Sequence, residues 1–98
     1  MTDSICEHFH IAASHPALPG HFPDAPIVPG VVLLERVAAA TRRAFDVEVA
    51  GLPQVKFLRP LRPDEIAELR IERCGASAKF SIRRGQEFIV NGTLELAS

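Results

Sequence analysis

The chain has 98 residues, with 11 Lys and Arg against 12 Asp and Glu for a formal net charge of -1. That leaves room for one domain, and excludes both a chain-wide basic footprint for nucleic acid and an acidic tail. Hydrophobic residues at 47% and charged residues at 23% are the proportions of a folded globular protein, and six Phe with no Trp and no Tyr count against stacking platforms and exposed amphipathic hot spots.

The opening Met1-Thr2-Asp3-Ser4 is polar, and no apolar run nears the roughly 20 residues that cross a bilayer. A cytoplasmic setting is therefore expected, with Cys6 and Cys74 as reduced, buried thiols. Ile5, Phe9 and Ile11 alternate with Cys6, His8 and His10, the period of a strand with one apolar face. Prolines at 16, 19, 23, 26 and 29 then crowd His15 to Gly30, where neither a helix nor a central strand survives; a rigid surface loop is expected.

Val31 to Phe45 holds no Gly or Pro and reads as a helix. Its apolar positions are too many for one stripe, so most of the helix is expected to be buried, with Arg36, Arg42 and Arg43 toward solvent. The remainder reads as strands. Val47 to Leu58 is interrupted at Gly51 and Pro53; Ala67, Leu69 and Ile71 alternate with charged residues. Ala78, Phe80 and Ile82 mark another strand, and Phe88, Val90, Leu94 and Leu96 a last one, with Gly75 and Gly85 at tight turns. One antiparallel sheet wrapped around one helix, an α+β domain over residues 1–98, satisfies both periodicities. So short a chain buries a small share of its surface, which points to a partner subunit.

Three residues carry possible chemistry. Glu35 has only Val31, Val32, Ala38 and Ala39 at helical neighbour spacing. Such a carboxylate either loses hydration without a counter-ion and becomes a useful acid, or lies on the helix margin and reaches water. His21 lies in the proline-braced loop, either as a solvated side chain or as a general base aimed by a fixed backbone. Gly30 opens the helix, either as an ordinary cap or as the place where free N–H groups and the helix dipole meet developing negative charge. Together they suit proton abstraction beside a carbonyl with departure of a β-hydroxyl.

Other constellations are weaker. Cys6, His8 and His10 share a strand face, but three ligands on one short strand seldom close a tetrahedral metal site, and a Cys–His pair there lacks an orienting group. No metal site is expected. Lys56, Arg59 and Arg62, and separately Lys79, Arg83 and Arg84, form basic patches that are solvated faces or a landing place for an acidic carrier protein.

The stretch from Gly20 to Glu35, GHFPDAPIVPGVVLLE, resembles the signature of the 3-hydroxyacyl-ACP dehydratases of the hot-dog fold, including the fourteen-residue step from His21 to Glu35. Val55 to Pro63, VKFLRPLRP, is similar to a second segment of that family. The resemblance implies an antiparallel sheet around one long central helix, and dehydration of 3-hydroxyacyl thioesters to trans-2-enoyl thioesters in fatty acid, polyene or lipid synthesis. It implies His21 as the base, Glu35 of the facing subunit as the group that helps expel water, and the Gly30 N–H on the thioester carbonyl. Phe22, Pro29 and Val31 would contact substrate. The acyl chain would ride on the phosphopantetheine arm of acyl carrier protein, with no cofactor or metal, in a homodimer or a dimer with a related hot-dog subunit. Ala39 stands where the family commonly carries Gln, Asp24 replaces a frequent Gly, and Asp64-Glu65 replaces Gly-Asp. The chain reads as a compact variant. A hot-dog thioesterase or enoyl hydratase, or a non-catalytic partner subunit that binds acyl carrier, are the alternatives.

Overall fold

A computed structural model describes residues 3–15 and 27–97. Five strands and one helix follow in the order β1 (Asp3–Phe9), α1 (Gly30–Phe45), β2 (Val49–Phe57), β3 (Ala67–Cys74), β4 (Ser77–Arg84) and β5 (Glu87–Leu96). All five strands join one antiparallel sheet in the order β1-β3-β4-β5-β2. The segment containing α1 thus carries the chain from one edge of the sheet to the other, and β3 to β5 fill the space between by local hairpins.

Those hairpins follow the sequence closely. Ala67, Leu69 and Ile71 on β3 and Ala78, Phe80 and Ile82 on β4 are all buried. The register sets Ile71 opposite Phe80 and Leu69 opposite Ile82. Gly75 and Gly85 have φ of 63° and 61°, the left-handed first position that a two-residue hairpin turn requires and glycine adopts without steric cost. On α1, Val32, Leu33, Val37, Ala40 and Thr41 are buried, and the Thr41 hydroxyl donates to the Val37 carbonyl at 2.8 Å. Each such aliphatic side chain removed from water stabilises the fold by about 1.5–3 kcal/mol.

Several expectations are corrected. The helix is not mostly buried: Val31 is 61% exposed, and Glu35 and Ala39 are also exposed, because a single sheet covers only one side of a cylinder. Arg36 does not point to solvent. Its guanidinium lies 5.0 Å over the Phe9 ring, and its Nε is buried with no hydrogen-bond partner among the described residues. Both cysteines are free and exposed, Cys6 because it lies on the outer face of an edge strand and Cys74 because it adjoins a turn.

Gly51 and Pro53 do not break β2; they fall at its two register shifts against β5. Pro53 is tolerated because β2 is an edge strand, where a missing donor costs no ladder bond. On β5, Ile82 faces Val90 but Arg83 faces Phe88, so Ile89 is an extra residue. This bulge buries both Ile89 and Val90 and leaves Phe88 exposed, where strict alternation predicted a buried ring.

Candidate active site

The start of α1 follows directly from Pro29-Gly30. Pro29, at φ -59° and ψ 143°, precedes the helix, and its carbonyl accepts from Val32 at 3.0 Å and Leu33 at 3.4 Å. The N–H groups of Gly30 and Val31 therefore have no acceptor among the described residues. No described side chain caps the helix, and its first turn carries no acidic residue, so no described group compensates the positive end of the dipole.

These donors adjoin an apolar cavity of about 430 Å³ whose walls include Ile27, Val28, Leu33, Phe57, Pro60 and Leu61, with Arg59 as the charged group. A Cβ on Gly30 would lie 2.7 Å from the end of the Phe57 ring. A larger residue there would have to displace the aromatic ring, which at 54% exposure has room to move. The Val28 N–H donates to the Leu61 carbonyl at 2.7 Å, tying the residues before the helix to the wall formed by 58–61.

Glu35 does not line this cavity. It opens on the other side of α1, into a smaller cavity of about 200 Å³ with Ile11, His15, Val32, Arg36 and Ala39. Of the two readings of Glu35, the described residues give the one in which it lies on the helix margin and is exposed, because nothing of the chain's own sheet covers that side. Of the residues singled out for chemistry, Gly30, Pro29 and Val31 thus meet at the helix start, with Val31 facing outward, and Glu35 stands apart. His21 and Phe22 lie outside the described residues. Among the described residues, no His, Cys, Asp and Glu cluster has the makings of a metal site, and no helix is long and apolar enough to cross a membrane.

Sequence alone did not single out Phe57, whose role depends on a glycine 27 positions earlier, nor the carboxylates that partner part of the basic patches. Arg83 donates to Glu68 at 2.9 Å and Arg59 pairs with Glu87 at 3.3 Å. Arg84 pairs with Glu65 at 3.0 Å and Glu87 at 2.9 Å. Much of the apparent basic surface is therefore neutralised. The Arg62 N–H and then Arg84 hold the Glu65 carboxyl below its ordinary range against partial burial. Arg84 does the same for Glu87, and these two carboxylates raise Arg84 in turn.

The fold agrees with what the chain resembles. A family model described as ApeI-like, ApeI dehydratase, matches residues 1–93. A 3-hydroxyacyl-acyl-carrier-protein dehydratase FabZ from Chlamydia muridarum is 32% identical over 99 residues, covering 90% of this chain and 65% of that protein. The chain thus spans slightly less than two thirds of that relative's length. Among solved structures, the dehydratase heterocomplex ApeI:P from Xenorhabdus doucetiae superposes with a TM-score of 0.86 at 20% identity, covering 100% of this chain and 95% of that one. A variant of the fluoroacetyl-CoA-specific thioesterase FlK gives 0.70 at 14% identity, covering 97% and 84%. The fold is the hot-dog fold.

Proposed function

The chain belongs to the ApeI-like dehydratase family, and on that premise we propose that it dehydrates 3-hydroxyacyl thioesters, carried by acyl carrier protein, to trans-2-enoyl thioesters. The observation that carries this reading is the opening of α1 onto an apolar cavity. Two N–H groups with no acceptor among the described residues would meet the thioester oxygen as it gains charge, and the cavity beside them takes a hydrocarbon chain. His21, at the signature spacing from Glu35, removes the α-proton. The electron pair of that C–H bond forms the double bond, the bond from the β-carbon to oxygen breaks, and Glu35 supplies the proton with which the hydroxyl leaves as water. No cofactor is needed. Phe22, Pro29 and Val31 contact the acyl thioester, and the setting is the cytoplasm.

Glu35 opens away from its own chain's cavity, which supports a site shared between two subunits. The second subunit is another copy or a related hot-dog chain, and it covers the exposed Val31–Glu35–Ala39 side of α1.

The test is turnover of 3-hydroxyacyl-acyl carrier protein by purified protein, read as enoyl product. His21→Ala and Glu35→Gln are each expected to abolish most of it. Mixing and reassociating the two inactive variants should then restore activity at about a quarter of the sites, the fraction that a shared site allows in random homodimers. Absence of product at every chain length would overturn the activity, thioester cleavage without enoyl product would replace it with hydrolysis, and no recovery on mixing would overturn a site shared between two copies of this chain.

A further inference from the structure

Between β2 and β3, residues 58–66 lie outside the strands, and Pro60 and Pro63 have no N–H to donate. This segment nevertheless forms one wall of the cavity at the start of α1, with Leu61 completely buried. One side chain gathers it. Arg84, at the end of β4, donates from Nη1 to the Pro60 carbonyl at 3.1 Å and to Glu65 Oε1 at 3.0 Å, and from Nη2 to Glu87 Oε1 at 2.9 Å. Glu65 Oε1 also accepts the Arg62 N–H at 2.8 Å, which closes the turn around Pro63. The other oxygen of Glu87 pairs with Arg59 Nε at 3.3 Å. From the other direction, the bulge carbonyl of Ile89 accepts the Leu58 and Arg59 N–H groups. Arg84 is 26% exposed at its side chain, and a planar guanidinium is suited to hold several oxygens at fixed angles.

We propose that Arg84 is a positioning residue of this site: from the β4–β5 hairpin it fixes the 58–61 wall, and with it the Val28–Leu61 hydrogen bond that leads into Gly30. The proposal rests on the dehydratase reading for its kinetic consequence, not for its structural one. A wall held at this height sets how a long acyl chain packs, whereas a short chain does not reach far along it. Loss of Arg84 therefore acts on long substrates through KM and leaves the chemical step at the helix start unchanged.

The experiment compares Arg84→Met, which keeps the length of the stem and removes every donor, with Arg83→Met and Arg84→Lys. Arg83 is a matched control: it lies next in the same strand and donates to Glu68, which is on β3 and not in the 58–66 segment that Arg84 gathers. Arg84→Met is expected to raise KM about tenfold for 3-hydroxydecanoyl-acyl carrier protein, the size of a lost charged hydrogen bond. KM for the 3-hydroxybutyryl substrate and kcat for both should stay within about twofold of wild type, as should all parameters of Arg83→Met. Arg84→Lys, which keeps the charge and a single donor group, should recover part of the loss. KM rising equally for both chain lengths, or equally in Arg83→Met, overturns the proposal.

Amide hydrogen exchange on the same proteins needs no substrate. Val28 and Arg59 should exchange about tenfold faster in Arg84→Met, while Val37 and Ala40 in α1 keep their wild-type rates. Unchanged exchange at Val28 overturns the brace. If wild type turns over no substrate, the dehydratase reading fails, and exchange alone decides the brace.

Discussion

Along one side of α1, Val32, Leu33, Val37, Ala40 and Thr41 are closed off by the chain's own sheet, while along the other Val31, Glu35 and Ala39, spaced four apart, face outward. The first side is ordinary core, and its composition is explained by burial alone. The second has two apolar residues around a carboxylate, a composition that neither solvent nor core accounts for. The difference teaches that one helix can carry two unlike sides: the inner side holds the subunit together, and the outer side is left open for the second subunit of the proposed shared site.

That division can be broken by substitution. The largest contrast is between Glu35→Gln and Leu33→Ala. Glu35→Gln should lower kcat/KM by about 100-fold or more, the scale of a lost proton donor, and leave the urea midpoint unchanged because the side chain is exposed. Leu33→Ala, at a residue 2% exposed, should cost about 2–5 kcal/mol of unfolding free energy, read as a lower urea midpoint at constant slope. A large stability loss in Glu35→Gln would mean that the outer side is core after all.

A smaller effect tests the junction of the two sides at the helix start. Gly30→Ala places a Cβ against the Phe57 ring. It should destabilise by about 1 kcal/mol as the ring is displaced, and Phe57→Ala in the same chain should remove that penalty, a coupling visible in a double-mutant cycle. Additive effects would mean that the ring and the glycine are independent.

The smallest effect is acid sensitivity, and it belongs to the sheet rather than to the helix. Glu65 is held below its ordinary range first by the Arg62 N–H, Glu68 by Arg83 and Glu87 by Arg84. Each binds its proton less readily folded than unfolded. The stability they confer is present above the ordinary value of 4.5 and is lost as pH falls through the lowered folded values. Urea midpoints should therefore decline from about pH 6 to about pH 3, and less steeply in Arg84→Met, which removes the chief partner of Glu87 and one partner of Glu65, the Arg62 N–H remaining. An equal slope in that variant would mean that other carboxylates carry the acid response.

Much of the architecture was legible in advance where structure depends on neighbours in the chain. The β3–β4–β5 meander was visible in alternation and in two glycines, and the helix in a run free of Gly and Pro. Phe88 was misplaced because a bulge shifts the pattern by one residue, and a period-two count has no term for an inserted residue. Arg36 was misplaced because a charged group is expected in water, whereas its stem and guanidinium lie against Phe9. Glu35 was recognised as unusual, but helical spacing describes only the neighbours on its own helix and says nothing about the empty space beside them.

By itself the sequence determined the elements, their order and the spacing from His21 to Glu35 on which the proposed chemistry rests, all of which are set by local sterics and by residues close in the chain. The tertiary structure alone decided that β2 closes the far edge of the sheet, that the Phe57 ring occupies the place of a Gly30 side chain, that Arg84 reaches back to Pro60, and that Glu35 opens away from the cavity. Each of these depends on which surfaces meet. A hydrophobic period reports that a side chain leaves water, and only the packed fold specifies what it then touches.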